Sequence, residues 1–139
     1  MEDVLAAIPQ RPPFLFVDKI IKREGNSITT QRTLKADEYF FQGHFPGNPI
    51  MPGVLLCEAC FQTGAMLITG DKSQPGLGVV TRIKDAKFKR FARPGDTLTI
   101  TVTLDEKLGN AYYMSGTISI GEKLILKILF HGALLPPEK

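Results

Sequence analysis

Val54-Leu55-Leu56-Cys57-Glu58-Ala59-Cys60-Phe61-Gln62-Thr63-Gly64-Ala65-Met66-Leu67-Ile68-Thr69 decides how this chain folds. At a rise of 1.5 Å per residue the run makes a helix about 24 Å long. Apart from Glu58, Gln62 and two threonines it is apolar or small on every side. A helix that is hydrophobic all round is a buried one, so in a chain of this size something must wrap around it. Pro52 suits the first helical position, where its missing N–H is no loss, and Gly70-Asp71 reads as the stop.

The wrapping is supplied mainly by the second half. Residues 78–91 form one long strand candidate, and Arg93-Pro94-Gly95-Asp96 places Pro and Gly for a type II turn. Residues 97–104 alternate strictly between apolar and polar, predicting one buried and one wet face. Gly109-Asn110 turns into residues 111–120, where Tyr112, Met114, Ile118 and Ile120 share a face, and Gly121-Glu122 turns into residues 123–134. Such short turns imply an antiparallel meander. In the first half, residues 2–8 read as a short helix stopped by Pro9. Residues 14–21 and 27–34 read as a hairpin around Gly25-Asn26, and residues 37–52 as a loop. The expected architecture is α+β, an antiparallel sheet wrapped around a central hydrophobic helix: the hot-dog fold, as one domain over residues 1–139. The sheet cannot fully enclose so apolar a helix, and residues 124–135 are apolar on both faces. Both point to a dimer interface.

Composition excludes several classes. The chain has 139 residues, 43% hydrophobic and 22% charged, which is ordinary for a globular domain. A net charge of +3 is too mild to argue for nucleic acid. Met1-Glu2-Asp3-Val4 is acidic and shows no signal-peptide pattern. The apolar run 124–135 is interrupted by Lys127 and His131 and is too short to span a bilayer. The expectation is therefore a cytoplasmic protein without membrane insertion. Cys57 and Cys60 have CxxC spacing, but in an apolar helix they read as small buried hydrophobes rather than a redox pair. For a zinc site from Cys57, Cys60, His44 and His131, the histidine spacings match no finger pattern.

Ahead of the helix lies Gly43-His44-Phe45-Pro46-Gly47-Asn48-Pro49-Ile50-Met51-Pro52-Gly53. A lone histidine is more often structural than catalytic. Here, however, it sits on a loop stiffened by three prolines, where functional groups concentrate. His131, inside an apolar strand, reads as structural. Glu58 is a carboxylate in a helix with no evident polar face. Burial should raise its pKa and keep it a neutral proton donor, with Gln62 one turn on to orient it. The bland alternative for Glu58 is an exposed acid in the first turn, favoured by the helix dipole. Gly53 opens the helix, where free amide N–H groups can stabilise a developing oxyanion. A base, a buried acid and an oxyanion site suit α-proton abstraction beside a carbonyl with loss of a β-hydroxyl.

The block from His44 to Leu55, with Glu58, Ala59 and Gln62, resembles the signature of the β-hydroxyacyl-acyl-carrier-protein dehydratases of FabZ type. Pro13-Phe14-Leu15-Phe16-Val17-Asp18, Lys87-Phe88-Lys89-Arg90 and Arg93-Pro94-Gly95-Asp96 extend the resemblance over nearly the whole chain. The resemblance implies His44 as general base for the C2 proton, Glu58 as general acid for the 3-hydroxyl, the Gly53 N–H polarising the thioester carbonyl, and the Ile50 carbonyl fixing the imidazole tautomer. It implies dehydration of (3R)-3-hydroxyacyl-acyl carrier protein to the trans-2-enoyl product in fatty-acid-type biosynthesis, with no metal or organic cofactor. It also implies a homodimer whose active sites combine the histidine of one subunit with the glutamate of the other, and association of dimers into a hexamer. Isomerising FabA-type relatives carry Asp where this chain has Glu58, so a dehydratase without isomerase activity is expected. Gln10-Arg11-Pro12 departs from the His-Arg-Tyr usual in the family.

Two further expectations concern substrate. Phe61, Met66 and Phe88 are candidates to line an acyl tunnel, with plain core packing as the alternative. Arg82, Lys84, Lys87, Lys89, Arg90 and Arg93 form a basic cluster suited to steering an acidic carrier protein, with a solvated strand edge as the alternative. The competing functions are a hot-dog thioesterase, which would activate water without this histidine loop, and a non-catalytic acyl-binding protein, which would have no use for both His44 and Glu58.

Overall fold

The computed structural model of the chain describes residues 1–69 and 77–135. The elements run α1 (Glu2–Ala7), β1 (Lys19–Glu24), β2 (Ser27–Thr33), α2 (Tyr39–Gly43), α3 (Gly53–Thr69), β3 (Leu77–Phe88), β4 (Thr97–Leu108), β5 (Ala111–Ile120) and β6 (Lys123–Leu135). The strands make one six-stranded antiparallel sheet in the order β1-β2-β4-β5-β6-β3. Alternation along the strands sends Ile28, Leu98, Ile100, Val102, Met114, Ile118, Leu126, Ile128 and Phe130 into the core. There they meet α3, which lies against β2 through β6. This is the hot-dog arrangement, and it puts the apolar helix where its sequence demands.

The turns behave as their residues require. Gly95, at φ +92°, takes the third position of the Arg93–Asp96 turn, and the Asp96 N–H donates to the Arg93 carbonyl at 3.1 Å. Close packing of helix on sheet depends on Gly64. A Cβ there would lie 3.0 Å from Met114 Sδ and 3.1 Å from the Phe130 ring.

Three expectations need correction. Residues 14–17 are not a strand. Pairing begins at Asp18, whose N–H donates to the Gln31 carbonyl at 2.8 Å, and β1 itself starts at Lys19. The preceding backbone satisfies its polar groups elsewhere: the Phe16 N–H donates to Gln62 Oε1 at 2.9 Å, and Gln62 Nε2 donates to the Phe14 carbonyl at 3.1 Å. Within the expected loop 37–52 lies the short helix α2, held down by buried Phe40 and Phe41. The meander covers β4, β5 and β6 only, because β3 crosses to the far edge and pairs with β6. The sheet, as expected, does not fully enclose α3. Val54 is exposed and Glu58 and Phe61 are half-buried, so an open stripe runs along one side of the helix. The helix stop read at Gly70-Asp71 lies outside the described residues.

Two threonines tie helix to sheet where no water reaches. Thr30 and Thr63 are fully buried, their hydroxyls 2.8 Å apart, and Thr63 donates onward to the Ala59 carbonyl at 2.9 Å. The Thr30 hydroxyl must therefore donate to Thr63. Thr63→Val should lower unfolding stability by about 1–3 kcal/mol by stranding the Thr30 hydroxyl. Adding Thr30→Val should recover most of that loss in chemical denaturation. An equal or larger loss in the double variant would show that the hydrogen bond is not what matters.

Candidate active site

His44 follows directly on α2, at its C-cap. The loop then folds back on itself. The Phe45 and Asn48 backbones exchange hydrogen bonds at 3.0 and 2.9 Å, with Gly47 between them at φ +74°, and the Ile50 N–H donates to the His44 carbonyl at 2.8 Å. The loop is sewn to the connection between β3 and β4 by Met51 N–H donating to the Ala92 carbonyl at 2.9 Å. The imidazole stacks on the Phe45 ring at 4.0 Å between centroids, and its Nδ1 lies 2.9 Å from the Ile50 carbonyl oxygen. A carbonyl only accepts, so Nδ1 carries the hydrogen and Nε2 of the neutral ring presents a lone pair.

His44 and Gly53 line one cavity of about 410 Å³, together with Phe88, Arg90 and Phe91. The Gly53 N–H, at the start of α3, has no hydrogen-bond partner among the described residues. The Phe88 ring comes close to Gly53: a Cβ there would stand 2.9 Å from it, so the exposed ring would have to shift. The rim is aromatic and open, with Phe45, Phe88 and Phe91 all exposed.

Glu58 looks into a different cavity, of about 390 Å³, lined by Phe61, Ala65, Val80, Ile83 and Phe130, with Gln10. Burial raises the Glu58 pKa above the ordinary carboxylate value, and the hydrogen bond from Gln62 opposes this. That bond runs from Gln62 Nε2 to Glu58 Oε2 at 3.1 Å. Gln62 is fully buried, and its contacts with the residue 14–16 backbone leave its amide one orientation.

Thus the structure brings His44, Ile50, Gly53 and Phe88 together, and Glu58, Gln62 and Phe61 together, but the two groups occupy separate cavities of one chain. Both cavities border β3, one at Val80 and Ile83 and the other at Phe88. Phe61 packs edge-on against Phe130 at 4.9 Å. Met66 is fully buried and lines neither cavity.

The basic residues divide as well. Arg82 and Lys87 stand opposite His131 and Lys127 in the β3–β6 ladder, which points them to the outer sheet face. Lys84 shares a surface cavity with His131 on that side. Arg90 reaches the His44 cavity and donates to the Leu124 carbonyl at 2.9 Å. The Arg93 guanidinium lies 5.6 Å from the Phe91 ring, and Lys89 is exposed next to Arg90.

His131 packs on Tyr113, 4.2 Å between centroids. Cys57 and Cys60 are free and buried, and burial pushes both thiols up. Among the described residues no group of three His, Cys, Asp or Glu is placed to hold a metal ion. No helix among them is long and apolar enough to cross a membrane. Gln10 and Phe91 reach the two cavities without any signal in spacing or periodicity, because each sits in irregular chain brought in by the fold.

Comparison with known proteins places the chain in a family. The FabA-like domain family matches residues 8–129. The chain is 40% identical over 124 residues to the 3-hydroxyacyl-acyl-carrier-protein dehydratase FabZ of Levilactobacillus brevis, covering 88% of this chain and 84% of that protein. It is 47% identical over 107 residues to the enzyme of the same name from Chloroflexus aggregans, covering 76% and 74%. Among solved structures, the dehydratase heterocomplex ApeI:P of Xenorhabdus doucetiae aligns with a TM-score of 0.83 at 17% identity, over 98% of this chain and 91% of that one. A hypothetical thioesterase of Streptococcus pneumoniae, solved with coenzyme A, aligns with a TM-score of 0.68 at 14% identity, over 99% and 95%. These two likenesses carry the fold alone. The sequence relatives carry more, and the chain belongs to the FabA-like domain family as a dehydratase of the FabZ type.

Proposed function

We propose that this chain dehydrates (3R)-3-hydroxyacyl groups on acyl carrier protein to trans-2-enoyl groups in fatty acid biosynthesis. The observation that carries the mechanism is the pairing of opposite tunings: an imidazole held with Nε2 free, and a carboxyl held toward its neutral form. Nε2 of His44 takes the C2 proton. The Gly53 N–H receives the charge that develops on the thioester oxygen. Glu58 gives its proton to the 3-hydroxyl as the C3–O bond breaks, and water leaves. The Ile50 carbonyl and Gln62 keep the two groups in their working orientations. Phe61 and Phe88, at the two cavities, are our candidates for contact with the acyl chain, and Met66 backs it from the core.

The separate cavities support a site completed by a second copy. β3 is an edge strand, with Val80, Ile83 and Phe88 exposed along it. Antiparallel pairing of two such edges would set the Phe88 end of one strand against the Val80 end of the other. His44 of one protomer would then face the partner subunit's Glu58. We infer a homodimer with two shared sites, and three such dimers in a hexamer, a mass that light scattering reads directly. Free, buried thiols fit a cytoplasmic enzyme. Arg90 and Arg93 flank the His44 cavity and are the basic residues best placed to meet a carrier protein at its mouth. Arg82, Lys84, Lys87 and Lys89 would extend the attraction along the edge.

His44→Ala and Glu58→Gln should each lower the dehydration rate by at least about a hundredfold without unfolding the protein. Co-expressed, the two variants should regain about a quarter of parental activity, because a mixed dimer holds one intact site. A site within one chain would regain none. The neutral form of Glu58 is lost as pH rises through its raised pKa, so kcat/KM should fall on the alkaline side at a pH above the ordinary carboxylate range. A fall within the ordinary range would contradict the assignment of Glu58 as the acid. Added salt should depress kcat/KM for the carrier-linked substrate more than for a pantetheine thioester. Equal depression would remove the docking role of the basic residues.

A further inference from the structure

The Glu58 cavity has a direction. Glu58, Phe61, Ala65 and Ile68 line it at helical spacing, as a single stripe along α3. Exposure falls along that stripe. Val54, just ahead of the cavity, is 75% exposed, Glu58 and Phe61 are half-buried, and Ala65 and Ile68 are only 6% and 7% exposed. The opposite wall is β3, which runs against the helix from Gly78, beside Ala65 and Ile68, to Phe88, beside Gly53. At Gly78 the two walls meet: a Cβ added there would lie 3.2 Å from the Ala65 Cβ and 3.3 Å from Ile68 Cδ1. The floor closes next to it, where a Cβ on Gly132 would lie 3.1 Å from Met114 Cε and 3.2 Å from the Val79 carbonyl oxygen. The cavity is therefore a channel, open at the acid and blind at the far end of the helix.

With the 3-hydroxyl at Glu58 and the thioester on the side of the histidine loop, the rest of the acyl group must leave past Glu58 in the other direction. Beyond C3 that tail is a saturated hydrocarbon. Apart from Glu58 and Gln10, the side chains lining the channel are apolar, which suits such an occupant. We propose that the acyl tail lies along the α3 stripe and that Ala65 and Ile68, closed off by Gly78, set the longest chain the enzyme accepts. At 1.5 Å per residue the helix rises about 10 Å from Glu58 to Ala65 and about 15 Å to Ile68. An extended alkyl chain advances about 1.3 Å per carbon, given bonds of about 1.5 Å. Roughly 8 to 11 carbons then fit beyond C3, so the limit is an acyl group of about 11 to 14 carbons. A longer tail must displace packed side chains at the blind end, which is costly. The length limit rests on the dehydratase reading above.

The test measures kcat/KM by enoyl absorbance for 3-hydroxyhexanoyl, 3-hydroxydodecanoyl and 3-hydroxyhexadecanoyl groups on acyl carrier protein. For the parental protein the value should fall at least about tenfold from dodecanoyl to hexadecanoyl. Ala65→Met, which fills the channel short of its end, should lower the dodecanoyl-to-hexanoyl ratio at least about tenfold. Ile68→Ala, which opens the end, should raise the hexadecanoyl-to-dodecanoyl ratio at least about fivefold. Each ratio is taken within one protein, so a general loss of folded enzyme cancels from it. If Ala65→Met does not fold, the parental profile and Ile68→Ala decide. Equal parental values for dodecanoyl and hexadecanoyl groups would overturn the length limit, as would ratios left unmoved by the variants that fold. A parental protein that dehydrates none of the three substrates would instead overturn the dehydratase reading.

Discussion

The carboxamide of Gln62 is the joint on which site and fold both turn. From a fully buried position in the middle of α3 it accepts from the Phe16 N–H and donates to the Phe14 carbonyl and to Glu58. It thereby does for residues 14–16 what a neighbouring strand would do, which lets that segment cross the helix instead of joining the sheet. The same bonds leave the amide no freedom to turn, so the hydrogen it offers Glu58 has a fixed direction. A buried polar group is tolerable only when its partners are complete, and this one is complete because the N-terminal segment lies across it. The placement of residues 14–16 and the orientation of Glu58 thus rest on the same side chain.

His44 and Glu58 are set by opposite means. His44 is set by a direct hydrogen bond to a main-chain oxygen six residues on, within a loop closed by its own backbone pairs. Glu58 is set by loss of solvent, with its one side-chain hydrogen bond acting against the shift. The imidazole therefore needs a rigid loop, which prolines, the α2 anchor and the tie to Ala92 supply. The carboxyl needs apolar walls, which come from distant strands. That division fits their placement in different cavities of one chain, both of which border β3. The solved thioesterase-like neighbours share the wrapped-helix fold at low identity, so the fold does not choose the reaction. On the proposed reading, the histidine loop and the acid do.

Much of this was legible in one dimension. The apolar run of α3, the strict alternation of β4 and the Gly-containing turns are local signals, and each element stands within a few residues of where its pattern puts it. His44, Gly53 and Glu58 declare themselves by being out of place for their neighbours: a histidine among prolines, a glycine at a helix start, a carboxylate in an apolar helix. Residues 14–17 were misleading because an apolar run of that length reads as a strand whether its backbone partners are a strand or a side chain. α2 was hidden because five residues are too few for a helical period to show.

Sequence alone, then, determined the helix, the strand faces and the residues with chemistry to perform, because those follow from side-chain size, polarity and spacing along the chain. Tertiary structure decided the rest. It sent β3 to the far edge of the sheet, left the Val54–Glu58–Phe61 stripe of the helix open, drew Gln10 and Phe91 into the two cavities, and placed His44 and Glu58 in separate ones. These depend on contacts between residues far apart in the chain, and neither periodicity nor local propensity encodes which distant surfaces meet.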